Sequence, residues 1–140
     1  MIVLDTNVIS ELISQTPDPK VKAWISKLHL QDVFISVPTL MELWSGSTRL
    51  TLGKRRYELE AKIAYITTQI YSGRILILDE TSAKLSGQFI AHQFMKGRKP
   101  SAADCQIAAI AVTNKFAVAT RDVNDFVQEG LTVVNPWEQS

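Results

Sequence analysis

The chain has 140 residues, 46% of them hydrophobic and 21% charged, with a formal net charge of +1; it is long enough to bury a core and too short for two ordinary domains. So weak a net charge excludes long-range attraction as the way a polyanion such as RNA would be held, leaving local basic patches or a bound metal. The lone cysteine, Cys105, excludes an internal disulfide and fits a reducing cytosol, and no apolar run is long enough to span a bilayer.

The opening residues MIVLDTN lack the basic start and cleavage pattern of a signal peptide and read as a first strand. Residues 2–4 are β-branched and aliphatic, Asp5 closes the run, and Thr6 to Ile13 takes up helical spacing. Pro17, Asp18 and Pro19 start a second helix carrying Val21, Trp24, Ile25 and Leu28. Val33 to Val37 is the next strand, and Pro38 suits the first turn of a helix that holds Glu42. After the basic break Lys54-Arg55-Arg56, the apolar stripe Leu59, Ile63, Ile66 and Ile70 marks a long helix ending near Gly73. Ile75 to Leu78 is an apolar strand, Ser82 to Met95 a helix, and Lys96 to Pro100 a loop. Ser101 caps a further helix containing Asp104, Ile107, Ala108 and Ala111. Phe116 to Ala119 and Leu131 to Val134 complete the strands. Short strands, apolar on both faces and separated by helices, predict a three-layer α/β/α arrangement around a mainly parallel sheet.

Four of the fourteen acids stand where packing is expected: Asp5, Glu42, Asp104 and Asp122. A buried carboxylate is costly unless something compensates its charge, so a converging cluster calls for a cation. Asp5 and Asp122 follow strands, at the carboxyl ends where ligands bind in open parallel sheets. The competing explanation for both is helix or turn capping. Asp104 has the position of a capping-box acid, yet shares its helical face with Ile107, Ala108 and Ala111. Glu42 shares a face with Thr39, Ser45 and Gly46, with simple solvent exposure as its alternative. Asp125 is a peripheral candidate, exposed together with Glu129; Glu58 and Glu60 belong to a charged helix start, and Asp79 and Glu80 to a strand-to-helix turn. His29 and His92 have no partners at metal-ligand spacing. Lys96, Arg98 and Lys99 precede the Asp104 helix, either to touch phosphates near the site or as a solvated turn.

The stretches IVLDTNVISEL, TLMELWSG, SAADCQIAAIA, ATRDVNDF and VVNPW, in this order over nearly the whole chain, resemble the PilT N-terminus (PIN) domain, in particular the VapC-type toxins of toxin–antitoxin pairs and their FitB-like branch. The resemblance implies that Asp5, Glu42, Asp104 and Asp122 form the acidic site of a metal-dependent ribonuclease, with Asn7 and Thr120 supporting that site or its waters. It also implies products with a 5′-phosphate and a 3′-hydroxyl, a homodimer, and a small antitoxin that blocks the cleft and binds operator DNA. Trp44 departs from the polar or basic residue common in relatives.

An oxygen-only donor set selects Mg²⁺ or Mn²⁺ over Zn²⁺. The expected assignment is Asp5 and Asp104 as primary ligands, Asp122 completing the site, and Glu42 on a second ion or orienting water, with Arg98 and Lys99 touching RNA. Two other classes compete. A phosphoryl-transfer or phosphoacceptor domain lacks support, because no second Asp stands two residues after Asp5 and no strand-end lysine is apparent. An interaction module would use the Glu58 to Ile70 stripe, Trp44 and Trp137 as exposed surfaces, with core packing as the more frequent fate of such a stripe.

Overall fold

The computed structural model describes residues 1–128 and 130–139. Its five strands are β1 (Ile2–Leu4), β2 (Val33–Ser36), β3 (Ile75–Leu76), β4 (Ala117–Ala119) and β5 (Val133–Val134), with helices α1 (Thr6–Leu12), α2 (Pro19–Ser26), α3 (Val37–Thr48), α4 (Lys54–Tyr65), α5 (Glu80–Met95) and α6 (Ala102–Asn114). The strands form one sheet in the order β3-β2-β1-β4-β5, and every pairing is parallel. The chain order reverses between β1 and β4, so a crevice opens at their carboxyl ends.

Side-chain alternation along the short strands separates two cores. Leu4, Val33, Ile35 and Ala119 pack with Val8 and Ile9 of α1, Val21 of α2, Leu43 of α3 and Ile63 of α4. Val3 and Val118, one residue out of phase, pack with Phe89 of α5 and Ile107, Ala108 and Ala111 of α6. The sheet therefore lies between two helical layers, as expected. Both faces being covered explains why the strands read as unbroken apolar runs.

Several boundaries differ from the sequence reading. β2 stops at Ser36, because the Ser36 side chain caps α3 and Pro38 takes its first turn, drawing Val37 into the helix. That shortens its neighbour: β3 pairs only as Ile35↔Ile75 and Ser36↔Leu76, so Ile77, without a strand beside it, is 67% exposed. β4 and β5 begin later than Phe116 and Leu131, and α5 begins earlier than Ser82, at Glu80. Asp79 and Ser82 form a reciprocal capping box that fixes this start. The long helix is α4 followed by a π-helical turn, Ile66–Ile70. Its stripe packs on the core as Leu59, Ile63, Ile66 and Ile70, so it does not form an open partner surface. Arg74 closes the turn: its guanidinium donates to the carbonyls of Leu30, Val33 and Ile70 and lies over Tyr71. The basic cluster after Gly53 is engaged within its own helix, Lys54 with Glu58 at 3.8 Å and Arg56 with Glu60 at 2.7 Å. Among the described residues no helix is long and apolar enough to cross a membrane.

Candidate active site

Asp5 stands at the last rung of the central strand pair, its N–H donating to the Ala119 carbonyl at 2.9 Å. One carboxylate oxygen caps α1 by accepting from the Thr6 N–H at 2.8 Å. The other accepts from the Thr120 hydroxyl at 2.7 Å. Capping and membership of the acidic site are thus compatible, since each uses a different oxygen. The side chain is almost fully buried, at 3% exposure, and that burial pushes its pKa up to about 6. The Thr120 hydroxyl and the Thr6 N–H pull it down, while the charges of Glu42 and Asp122 push it further up.

Thr120, the residue after β4, is the hub of the arrangement. Its one hydroxyl proton goes to Asp5, and its lone pairs accept from the Asp122 N–H at 3.0 Å and the Asn7 amide at 3.4 Å, using its full hydrogen-bonding capacity. Asn7 also donates to Asp122 Oδ2 at 3.1 Å and accepts from the Arg121 N–H at 3.3 Å. The Asp122 carboxylate makes no capping bond to the short 3₁₀ turn that follows. Its orientation comes from Asn7 instead.

Glu42 is half-buried on α3 and accepts from the Thr6 hydroxyl at 2.6 Å; Thr6 also reaches Thr39 at 3.2 Å. A solvated surface glutamate would have no such partner. Asp104 lies in the first turn of α6, where its N–H is capped by Ser101 at 3.2 Å. Ser101 supplies that cap, but the Asp104 carboxylate does not accept in return from the Ser101 N–H, so the capping-box explanation fails. Burial is the main cause raising the Asp104 pKa to about 7, followed by the charges of Asp5, Asp125, Glu42 and Asp122.

All four acids line one open cavity of about 590 Å³, together with Thr6, Asn7, Ser10, Glu11, Ser101, Arg121 and Trp137. The sequence reading made this a buried cluster; only Asp5 is buried, Glu42 and Asp104 are half-buried, and Asp122 is exposed. The strand ends open to solvent, and the acids descend from rim to floor. Among the described residues no three His, Cys, Asp or Glu side chains are already grouped as ligands of one ion.

Arg98 and Lys99 are not in the cleft wall; Lys99 lines a small neighbouring pocket with Gln93, Ser101, Asp104, Cys105 and Asp125, and Arg98 is exposed. Asp125 is exposed and faces Asp104 from that side, while Glu129 lies outside the described residues. His29 and His92 are exposed and Cys105 is buried, outside the cavity. Trp44 is exposed, as expected, but Trp137 is half-buried against the core and forms part of the cleft wall. Thr6, Ser10, Glu11 and Arg121 also line the cavity, residues to which the local acid pattern does not point. Glu11 was accessible from its spacing of four after Asn7 on α1, and Arg121 from its place between Thr120 and Asp122.

Fold and cleft together define a parallel α/β protein with an oxygen-rich acidic site at the carboxyl ends of its two central strands. The chain belongs to the PIN domain family, whose model matches residues 2–128. It is 39% identical over 137 residues to Toxin FitB of Neisseria gonorrhoeae, covering 98% of this chain and 99% of that protein. It is 38% identical over 138 residues to VapC ribonuclease Y4jK of Sinorhizobium fredii, covering 99% of each. The solved structure of FitAB bound to an IR36 DNA fragment is similar with a TM-score of 0.88 at 37% identity, covering 100% of this chain and 98% of that one.

Proposed function

We propose that this chain is the ribonuclease toxin of a toxin–antitoxin pair, hydrolysing RNA phosphodiesters at a Mg²⁺ or Mn²⁺ site formed by Asp5, Glu42, Asp104 and Asp122. The observation that carries the reading is the convergence of these acids, from four separate parts of the chain, on one cavity in which Asp5 and Asp104 are held at raised pKa. Like charges assembled at such a cost fit a compensating cation. The donor set fits a hard one, since only oxygen ligands face the cavity. Magnesium keeps several of its waters, so a loose set of carboxylates rather than a closed cage suits it. A bound ion would supply an attacking water of lowered pKa and neutralise charge on the scissile phosphate.

The chain's own residues do the rest. Asp5 and Asp104 are the primary ligands, at the floor and on the α6 wall. Asp122 completes the set, aimed by Asn7. Glu42, fixed by the Thr6 hydroxyl, holds a second ion or orients the attacking water. Thr120 keeps Asp5 in its ligating orientation and favours its ionised form. Cleavage leaves a 5′-phosphate and a 3′-hydroxyl.

The acidic cleft suits blockade by a basic side chain of a small antitoxin. The likeness to FitAB on DNA supports an assembly of toxin homodimer and antitoxin on operator DNA, with the chain acting in the cytoplasm as one PIN domain. Purified protein should cleave single-stranded RNA in Mg²⁺ or Mn²⁺, lose activity in EDTA, and regain it when either ion is restored. Asp104→Asn should abolish cleavage while the protein stays folded. Full cleavage by that variant, or by protein in EDTA, would overturn the assignment.

A further inference from the structure

The cleft wall holds one cation, Arg121, and one aromatic ring, Trp137. The Arg121 backbone is placed by the acid-site network, through its N–H bond to Asn7. Its guanidinium takes a different course: the central carbon lies 5.0 Å from the centroid of the Trp137 ring. Beside five acids in one cavity, a guanidinium would be expected to close on a carboxylate in a charge-assisted fork. Among the described residues the ion pairs are Lys54–Glu58 and Arg56–Glu60, and none involves Arg121.

Stacking in place of pairing has two effects. It leaves the planar fork of Arg121 donors uncommitted, a shape that matches phosphate oxygens. It also leaves the carboxylates uncommitted, since no guanidinium neutralises them. Trp137 is suited to be the rest for this side chain because it is itself packed on the core of the α1–α4 face. Covered by Arg121 and held by the core, the ring is not a free platform for a nucleobase. Arg121 is exposed whereas Asp5 is buried, so its donors address the rim of the cleft and not its floor.

We propose that Arg121, held over Trp137, grips the RNA backbone phosphate next to the scissile one and so admits a polyanion to a cleft whose other charges repel it; this rests on the ribonuclease reading above. Arg121 is the substrate-binding group and Trp137 its positioning residue.

The test is steady-state cleavage of a short fluorogenic single-stranded RNA in Mg²⁺ by wild type, Arg121→Ala, Arg121→Lys and Trp137→Phe, at several salt concentrations. Arg121→Ala should raise KM roughly tenfold with kcat within about twofold, the pattern of lost uniform binding. Its slope of log(1/KM) against log salt should be shallower by about one phosphate contact. Arg121→Lys should restore the salt slope but only part of KM, because an ammonium lacks the fork. Trp137→Phe keeps a smaller, weaker aromatic rest and should raise KM by less than Arg121→Ala with kcat within about twofold; an unchanged KM would remove Trp137 from the positioning role. If wild type cleaves and Arg121→Ala has unchanged KM and salt slope, or loses kcat alone, the Arg121 assignment is wrong. If wild type cleaves no RNA in either Mg²⁺ or Mn²⁺, the ribonuclease reading itself fails, and this proposal with it.

Discussion

Replacing Asp5 by Asn should make the metal-free protein more stable at alkaline pH while destroying its proposed activity. Burial raises the Asp5 carboxyl from 3.8 to about 6, so keeping it ionised in the folded protein above that pH costs about 3 kcal/mol. The folded-state value lies above the unfolded one. The folded protein therefore binds the proton more tightly, and stability is lost as pH rises from about 4 to about 6 for Asp5. Asp104, raised to about 7, extends that window upward by an amount that solvent screening reduces. Asn keeps the oxygen that accepts from Thr6 but meets Thr120 with a donor, and Thr120 has no acceptor capacity left; the mismatch returns about 1–2 kcal/mol. The net gain is about 1–2 kcal/mol, or about 3–6 °C in Tm. Thermal unfolding in EDTA at pH 8 should show that rise, and at pH 4 the gain should vanish or reverse. Mg²⁺ at ten times its Kd should stabilise wild type by about 1.4 kcal/mol and leave Asp5→Asn nearly unmoved. A wild-type Tm in EDTA that does not fall between pH 5 and pH 8, or an Asp5→Asn Tm below wild type at pH 8, would refute the reasoning.

Other perturbations probe the supports of the site. Thr120→Val removes the donor to Asp5 and the acceptor for Asn7 and Asp122, and should lower stability by about 1–3 kcal/mol in denaturant titrations. Because Thr120 holds the Asp5 pKa down, the same variant should shift the acid limb of the pH–activity profile upward, whereas Thr120→Ser should restore both. Thr6→Val frees Glu42 from its 2.6 Å donor and removes the contact to Thr39; kcat should fall roughly tenfold, with stability lower by about 1 kcal/mol in denaturant titrations. Protons and metal compete for the same carboxylates, so half-activation should need more Mg²⁺ as pH falls through 7 towards 6. Ile63→Ala, at a fully buried position of α4 in the core shared with Val33 and Ile35, should cost about 2–5 kcal/mol without changing metal dependence at temperatures where the protein stays folded.

The layered fold and the four acids were legible in the sequence because both depend on local pattern: apolar runs, caps, and carboxylates at strand ends. What escaped was set by neighbours distant in the chain. Ile77 and Leu78 continue an apolar run, yet the strand ends at Leu76 because β2 has already turned into α3. The π turn at Ile66–Ile70 keeps the same four-and-three spacing as an ordinary helix, so periodicity could not reveal it. Charge runs drew attention to Arg98 and Lys99, but the cation that reaches the cleft is the isolated Arg121. Trp137 lies in no periodic segment and read as surface, although the core receives it. The depth of each acid followed from where the sheet opens to water, which no local pattern encodes.

The Thr120 hub also bears on when the molecule comes into being as an active object. The amide of Asn7 meets Asp122 across 115 residues of chain, and β1 is flanked on one side by β4, a strand made late in synthesis. A growing chain still on the ribosome carries Asp5 and Glu42 long before it carries the partners that complete their cleft. Folding of the N-terminal part can begin earlier, but the cleft is complete only after β4 and the Thr120–Asp122 segment have docked beside β1. The acidic cleft is thereby a late product of folding, closed by contacts between residues far apart in the chain.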